Sequence, residues 1–228
     1  MAIDRDNWTV PSSSKREARR GRVPGALGGS LLYEQPRHAA LKAEIGAFVA
    51  PGPPLAVEVG FDHGITLLAN ARCFPAWRWL GVELRRKRVA AVREVADETL
   101  TNCLPLRIDA RTLFAGLLPE GRVHRVDILF PTPVVKGHHL LVTEGFVADV
   151  RRALAPDGVV FIMTDVAALD AWMADCFAGW REVEPPPRAP DLSRRERVCR
   201  RDGLPIWSRT LSPPVPPQLT GEDTFKGA

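Results

Sequence analysis

The chain has 228 residues, of which 45% are hydrophobic and 25% are charged, and its formal net charge is +4. A chain of this length and apolar content can bury one sizeable core, which favours a single domain with irregular ends over two domains. The mild positive charge permits an anionic partner such as nucleic acid without requiring one.

The four cysteines are far apart and form no C-x-x-C pair, so they indicate neither a metal site nor a disulfide framework. The N-terminus carries no apolar signal region, and no uncharged apolar run reaches the length that spans a bilayer. We therefore expect a soluble cytoplasmic protein without a membrane partner. Its oligomeric state, monomer or homodimer, stays open.

Composition predicts three regions. Residues 1–32 lack hydrophobic periodicity and carry a basic run at 15–22, which predicts a basic, mobile N-terminal arm. Such an arm is either a solvated tail or a segment that contacts phosphates and orders on binding. The folded domain is predicted over residues 33–211, and the proline-containing residues 212–228 are predicted to form a loose tail.

Strand and helix patterns alternate through the folded domain. Helical patterns cover His38–Val49, Ile65–Arg72, Arg85–Leu100, Ala110–Leu118, Glu144–Leu154 and Leu169–Phe177. Strand patterns cover Leu55–Gly60, Trp77–Glu83, Leu104–Ile108, Val126–Phe130, Val159–Met163 and Leu204–Leu211. This order predicts a doubly wound α/β fold with a mostly parallel sheet, whose ligands bind beyond the carboxyl ends of the strands.

The first strand ends in a glycine turn. Glu58 and Gly60 close the strand, and a helical pattern begins directly after Gly64. Gly60 permits a sharp turn and close approach to a ligand, and the start of the helix offers free N–H groups. Because any parallel sheet needs glycine at some of these turns, the turn alone favours a nucleotide-type site and a plain connection equally.

Acidic residues end the next two strands. Glu83 lies where nucleotide-binding sheets place the carboxylate that accepts hydrogen bonds from ribose hydroxyls. Its alternative role is a solvated strand end or a salt bridge with Arg85 or Arg86. Asp109 either accepts a hydrogen bond from an adenine amino group or caps the helix that begins at Ala110.

The fourth and fifth strands end in further candidate residues. Pro131 and Pro133 fix the backbone on both sides of Thr132, an arrangement that presents one side chain rigidly. Thr164 and Asp165 end the fifth strand in the same layer. Asp165 is therefore predicted to lie near Thr132.

The loop after Thr132 contains Lys136, His138 and His139. If the substrate must lose a proton from N–H or O–H, one of the histidines or Asp165 is the candidate base. The two histidines fit equally well as surface residues beside Lys136, so both readings stay open.

In chain order, these motifs resemble those of bacterial tRNA guanine-N7 methyltransferases, which are class I S-adenosylmethionine enzymes. The shared motifs are Glu-x-Gly-Phe-x-x-Gly, Gly-Val-Glu at the end of the second strand, Asp-Ala after the third, Phe-Pro-x-Pro followed by a lysine and a His-His pair, and Thr-Asp after the fifth. The resemblance covers roughly Leu55–Trp172, and Ser193–Glu196 weakly resembles the family's Thr-Lys-Phe-Glu. It implies a Rossmann-like class I methyltransferase fold with a seven-stranded, mostly parallel sheet.

The resemblance also implies a cofactor, S-adenosyl-L-methionine, and a set of site residues. Those implied to hold the cofactor are Glu58, Gly60, Phe61, Asp62, Gly64, Glu83, Asp109 and Ala110. Those implied to act on or bind the acceptor are Thr132, Lys136, His138, His139, Asp165, Ser193 and Glu196.

Two substitutions depart from the family pattern. Asp62 replaces a glycine, and Asp tolerates a left-handed backbone better than most residues, so the turn is expected to keep its shape. Thr132 replaces the aspartate of Phe-Pro-Asp-Pro, and the basic run that follows it in the family is reduced here to Lys136 and the two histidines.

Three functions are consistent with these features. The motif order and the basic arm favour methyl transfer to N7 of a guanine in tRNA, a reaction that needs no base because N7 already carries a lone pair. The change at Thr132 favours N-methylation of a small heteroaromatic metabolite instead. The third alternative is a non-catalytic module that binds RNA or S-adenosylmethionine.

Overall fold

The computed structural model describes residues 36–133 and 140–214. The predicted N-terminal arm, the loop with Lys136, His138 and His139, and residues 215–228 lie outside the described residues. Across the described ranges, we find no helix with the length and apolar character needed to cross a membrane.

Helices and strands alternate as predicted. The helices are α1 (Pro36–Val49), α2 (Ile65–Cys73), α3 (Arg86–Thr99), α4 (Ala110–Gly116), α5 (Glu144–Ala153), α6 (Ala167–Cys176) and α7 (Arg194–Arg201). The strands are β1 (Leu55–Val59), β2 (Arg78–Val82), β3 (Cys103–Leu106), β4 (Val123–Leu129), β5 (Leu154–Thr164), β6 (Arg181–Glu182) and β7 (Trp207–Ser212).

The strands form one seven-stranded sheet in the order β3-β2-β1-β4-β5-β7-β6. Neighbours from β3 through β5 are parallel, whereas β7 is antiparallel to both β5 and β6. The predicted doubly wound, mostly parallel sheet is therefore confirmed. The strand order reverses between β1 and β4, and this is where open α/β sheets form a crevice at the carboxyl ends of their strands.

One face of the sheet packs against a continuous apolar core. Val57 and Val59 of β1 share a buried cluster with Leu80 of β2, Ile128 of β4 and Ile162 of β5. Helices α1, α4, α5 and α6 pack against this face. Because strand side chains alternate in direction, the intervening residues of the same strands point to the opposite face.

The opposite face is polar at its centre. Arg125 and Asp127 of β4 form a buried ion pair, with Arg125 Nε 2.7 Å from Asp127 Oδ1. Arg125 also donates to the Pro187 carbonyl oxygen at 2.6 Å, and its guanidinium lies 5.2 Å from the centre of the Trp79 ring. The proline-rich segment between β6 and α7 thus packs over β4, where the Pro187 carbonyl oxygen accepts one of the hydrogen bonds of the buried Arg125 guanidinium.

Helix α7 was not predicted from the sequence. Its residues, Arg-Arg-Glu-Arg-Val-Cys-Arg-Arg, show no apolar periodicity, because only Glu196 and Cys199 are buried. A local signal was present, since Ser193 and Glu196 have the spacing of a capping box. The Ser193 hydroxyl indeed accepts a hydrogen bond from the Glu196 backbone N–H at 3.1 Å. The capping residue therefore marks the start of a helix that hydrophobic periodicity cannot reveal.

Two arginines hold the C-terminal end of α1 against the sheet. Arg122 donates from Nε to the Val49 carbonyl oxygen at 2.7 Å, and from Nη2 to Ala50 at 3.1 Å and Pro53 at 2.7 Å. Arg78 Nη1 donates to the carbonyl oxygen of Ala50 at 2.8 Å and to that of Phe48 at 2.9 Å. These bonds satisfy carbonyl groups that a helix end leaves without intrahelical partners.

We expect Arg122→Met to lower the free energy of unfolding by about 2 kcal/mol, because it removes the side-chain donor from the carbonyl oxygens of Val49 and Pro53. Denaturant unfolding followed by circular dichroism measures the change. Arg151→Met, which removes an exposed arginine of α5, is the matched control. Equal unfolding midpoints for the two variants would contradict an anchoring role for Arg122.

Candidate active site

A cavity of about 670 Å³ opens at the carboxyl ends of the parallel strands. The segments that line it include residues 58–63, 82–85, 108–111, 129–133, 165–166 and 193–195. The candidate residues predicted at five separate strand ends therefore meet at one site. Within the described part of the chain, only Gly64 and Glu196 of the predicted site residues do not line the cavity.

The turn after β1 has the left-handed backbone that its glycines predict. Gly60, Asp62 and Gly64 have φ angles of 74°, 52° and 70°. The expectation that Asp62 tolerates this conformation is confirmed. A Cβ atom at Gly64 would lie 2.6 Å from Val92 Cγ1, so helix packing as well as backbone conformation requires glycine there. The Gly60 N–H donates to the Val82 carbonyl oxygen at 2.8 Å, which fixes the turn against β2.

The side chain of Asp62 connects this turn to the next one. Its carboxylate forms an ion pair with Arg88 of α3 and lies 3.8 Å from Arg85 Nη1. Sequence reasoning missed this contact, although an acid in a glycine position opposite a run of arginines was an available signal. These contacts connect the turns after β1 and β2 along one wall of the cavity.

Glu83 is held by backbone donors. Its Oε2 accepts from the Asp62 N–H at 3.2 Å, and its Oε1 accepts from the N–H groups of Leu84 at 2.9 Å and Arg85 at 3.0 Å. The anticipated contact with Arg85 thus exists, but through the backbone. These bonds orient the carboxylate at the cavity wall. Leu84, 59% exposed, provides an apolar surface directly beside it.

Glu58 is a buried acid in the floor of the cavity. Its Oε1 accepts a hydrogen bond from Thr66 Oγ1 at 2.5 Å, whereas its Oε2 has no hydrogen-bond partner among the described residues. Burial raises the pKa of Glu58 from its ordinary value of 4.5 to about 8, with the nearby Asp127 carboxylate adding to the rise. A cationic or hydrogen-donating ligand group beside Oε2 would favour the ionised form.

Asp109 caps α4. Its Oδ1 accepts from the Arg111 N–H at 2.9 Å, and the Arg111 side chain donates to Oδ1 at 3.0 Å and to Oδ2 at 2.6 Å. The helix-cap alternative is therefore confirmed. Asp109 and the buried Ala110 also line the cavity, so the adenine contact stays a prediction that is compatible with the cap.

Thr132 and Asp165, which were predicted to act on or bind the acceptor, both line the cavity. Thr132 is exposed at the cavity wall, and Phe130, two residues earlier, has a left-handed φ of 49°. The Phe130 N–H donates to the Met163 carbonyl oxygen at 2.7 Å, which fixes the loop where it leaves β4. The proline-flanked loop is thus anchored at its start, as a rigidly presented side chain requires.

Asp165 is paired with an arginine that sequence reasoning did not identify as a site residue. Arg195 donates to Asp165 Oδ2 from Nε at 3.0 Å and also from Nη2. Arg194 Nη1 lies 3.2 Å from His63 Nε2, and this contact connects the start of α7 to the glycine turn. Both arginines and Ser193 line the cavity, so the first residues of α7 form its wall on the acceptor side.

Glu196 lies behind this wall and does not line the cavity, which corrects the expectation that it acts on or binds the acceptor. Its side chain is fully buried, with Oε2 2.8 Å from Arg188 Nη2 and Oε1 3.0 Å from Arg200 Nη2. A helix residue one position after the cavity wall points inward, where only paired charges are stable. Glu196 therefore holds α7 in place.

Comparison with known proteins agrees with this geometry. Residues 53–198 match a family model described as a putative methyltransferase. A tRNA (guanine-N(7)-)-methyltransferase from Chromohalobacter salexigens is 32% identical over 189 residues, which cover 78% of this chain and 77% of that protein. The chain belongs to this methyltransferase family.

Two further similarities support the assignment. A protein of the same name from Anaeromyxobacter dehalogenans is 36% identical over 176 residues, covering 72% of this chain and 88% of the relative. The crystal structure of the 16S rRNA methyltransferase KamB superposes with a TM-score of 0.55 at 19% identity, covering 75% of this chain and 94% of KamB. The fold is thus that of class I methyltransferases, and this methyltransferase uses S-adenosylmethionine as its cofactor.

The cavity fits this cofactor on two structural grounds. The cofactor's amino-acid end carries an ammonium group, and Glu58 Oε2 is a buried oxygen that lacks a hydrogen-bond donor among the described residues. Apart from its chain neighbours, no atom of the described residues lies within 4 Å of the place where a Cβ of Gly60 would stand, so the absence of a side chain keeps the cavity wall open there.

The raised pKa of Glu58 predicts a pH-dependent stability of the ligand-free enzyme. Between about pH 4.5 and pH 8 the folded protein retains a proton that the unfolded chain has released. The stability contributed by this group is therefore fully present below pH 4.5 and is lost as the pH rises through 8.

Glu58→Gln cannot ionise and is the reference for this measurement. We expect the unfolding free energy of the wild type relative to this variant to fall by about 1.4 kcal/mol per pH unit within the window. Urea unfolding at several pH values, without ligand, provides the curves. Parallel pH profiles for the two proteins would show that Glu58 ionises normally in the folded state.

Proposed function

We propose that this enzyme transfers the methyl group of S-adenosylmethionine to N7 of a guanine in tRNA. The observation that carries the proposal is the single cavity in which Glu58 and Glu83 stand on one side and Asp165, beside the start of α7, on the other. The names of the relatives from Chromohalobacter salexigens and Anaeromyxobacter dehalogenans support the same acceptor.

The residues after β1, β2 and β3 are proposed to hold the cofactor. Glu83 accepts hydrogen bonds from the ribose hydroxyls, and its backbone donors keep it correctly oriented. Glu58 pairs with the ammonium group. Asp109 and Ala110 contact the adenine ring opposite the exposed Leu84. The remaining turn residues, Gly60, Phe61, Asp62 and Gly64, fix the backbone around the amino-acid end.

The chemistry requires alignment more than acid–base catalysis. The bound cofactor supplies a methyl group on a positively charged sulfur. Guanine N7 carries an in-plane lone pair, so the enzyme has to place N7 in line with the methyl group, and such positioning can contribute about 7 kcal/mol or more. The transfer moves positive charge onto the purine ring. Asp165 provides the carboxylate that stabilises this charge, and Thr132 can offer only a neutral hydroxyl.

The rim of the cavity suits a polyanionic acceptor. Arg85, Arg86, Lys87 and Arg88 lie at the N-terminal end of α3, whose first turn contains no acidic residue. Cations at the positive end of a helix dipole are unfavourable by about 0.3–1 kcal/mol each, and Asp62 offsets this cost for Arg85 and Arg88. Arg194 adds a cation on the other side of the opening. Phosphate groups of an RNA backbone would be attracted to both sides.

The decisive experiment is nucleoside mass spectrometry of tRNA incubated with the pure enzyme and labelled S-adenosylmethionine. We expect labelled N7-methylguanosine, and we expect tRNA affinity to fall steeply with salt concentration. Absence of label in every RNA pool at saturating enzyme would exclude the proposed acceptor.

A second candidate acceptor is a small heteroaromatic metabolite, and the observation that favours it is Thr132 at the acceptor wall. The loop residues Lys136, His138 and His139, which lie outside the described residues, remain candidate substrate contacts in either case. Methylation of free heteroaromatic compounds without any methylation of tRNA would establish this alternative.

A further inference from the structure

We propose that Arg195 is a specificity-determining residue that donates a hydrogen bond to O6 of the acceptor guanine and excludes adenine. The inference rests on the proposed function, because it concerns the base that the acceptor side selects. Arg195 stands where the motif resembled by Ser193–Glu196 has phenylalanine, so the feature belongs to this chain and not to the shared pattern.

The side chain is anchored with unused donors. Arg195 Nε and Nη2 both donate to Asp165 Oδ2, while the hydrogens of its Nη1 donate to no atom of residues 36–133 or 140–214. The Asp165 side chain is 9% exposed and that of Arg195 is 26% exposed, so the guanidinium is the outer member of the pair. Both residues line the cavity. The pair therefore presents an oriented cationic N–H to whatever occupies the acceptor side.

The atom beside N7 distinguishes the two purines. Guanine carries O6, an acceptor, at this position, whereas adenine carries the N6 amino group, a donor. A cationic N–H placed there forms a charge-assisted hydrogen bond with guanine and faces another donor in adenine. An arginine fixed by Asp165 cannot turn away without breaking its ion pair, so it is suited to reject adenine.

The chemistry at N7 restricts how arginine can contact the base. Arginine usually recognises guanine with two N–H groups, one on O6 and one on N7. Such a contact would occupy the N7 lone pair that must attack the methyl group. Asp165 engages the N–H of Nε and one N–H of Nη2, which leaves both N–H groups of Nη1 and the second N–H of Nη2 available to the base. A single bond to O6 leaves N7 free to react.

The test removes the hydrogen-bond donor of Arg195 from the protein, removes the acceptor O6 from the base, and combines the two changes. The position that the enzyme methylates is first mapped on a tRNA. That tRNA is then rebuilt by ligation, with either guanosine or 2-aminopurine riboside at the mapped position. The base 2-aminopurine keeps N7 and lacks O6. For the wild type we expect kcat/KM to be at least about tenfold higher with guanosine. Arg195→Met is expected to lose about tenfold on guanosine and little on 2-aminopurine, which brings the ratio close to one.

Two controls separate recognition from structure. Binding of S-adenosylhomocysteine, measured by calorimetry, should be unchanged in Arg195→Met. Arg197→Met, at an exposed position of the same helix, should keep the wild-type preference for guanosine over 2-aminopurine.

Two results would overturn this inference and leave the proposed function intact. One is an equal loss of kcat/KM in Arg195→Met on the guanosine and 2-aminopurine substrates. The other is a wild type with the same kcat/KM on both substrates. A wild type that methylates no RNA would overturn the proposed function and, with it, this inference.

Discussion

Glu83→Ala is expected to weaken S-adenosylmethionine binding by about 100-fold. A carboxylate that accepts hydrogen bonds from ribose hydroxyls contributes on the order of 3 kcal/mol, which corresponds to this factor. The substitution also removes the acceptor for the Asp62 N–H, which Glu83 Oε2 binds at 3.2 Å, and so loosens the turn that the cofactor contacts. Isothermal titration calorimetry of the wild type and the variant measures the effect.

Glu98→Ala, at an exposed position of α3, is the matched control and should bind the cofactor as the wild type does. Glu83→Gln separates charge from shape, because glutamine keeps an acceptor oxygen and loses the negative charge. We expect it to fall between the wild type and Glu83→Ala. Wild-type affinity in Glu83→Ala, with normal folding, would remove Glu83 from the cofactor site.

Thr132→Asp is expected to raise the kcat for tRNA methylation by about tenfold or more. Methyl transfer brings positive charge onto the acceptor ring, and a carboxylate at the cavity wall stabilises that charge more than a hydroxyl does. At about 4 Å and an effective dielectric constant near 20 the attraction is roughly 4 kcal/mol, but Thr132 is exposed, so solvent reduces it to a fraction of this value. Single-turnover assays with tRNA isolate the chemical step.

Thr132→Asn provides the uncharged control, because it matches aspartate in shape. An equal gain in both variants would attribute the effect to hydrogen bonding and not to charge. A loss of activity in Thr132→Asp, together with activity of the wild type on free heteroaromatic compounds, would favour the small-molecule acceptor. The two acceptors thus predict opposite responses to one substitution.

The positions of the residues proposed to hold the cofactor could be predicted from sequence because strand ends are regular. Glu58, Glu83 and Asp109 each follow a run of apolar residues, and the parallel arrangement of those runs brings their carboxyl ends to one edge of the sheet. The left-handed backbone of Asp62 was also predictable, since the resemblance places a glycine at that position. In these cases local pattern and sheet topology determine position without knowledge of side-chain contacts.

The acceptor half depends on contacts between distant segments, and sequence pattern does not reveal these. Arg195 meets Asp165, and Arg194 meets His63, because α7 packs across the end of the sheet. Helix α7 itself has too few buried residues to show a helical period, and Glu196 was placed in the pocket because nothing local indicates that it points inward. The burial of Glu196 with Arg188 and Arg200 cannot be predicted from the amino-acid composition.

The buried contacts that hold α7 in place determine whether this wall of the cavity can move. Glu196 is fully buried between Arg188 and Arg200, and Cys199 is buried beside them, so swinging this helix outward would expose a paired charge and break its contacts. The wall formed by the start of α7 is therefore preformed. Under the proposed function, an incoming base would lose its own freedom on binding but would not have to order this part of the enzyme, which would reduce the entropic cost of forming the complex.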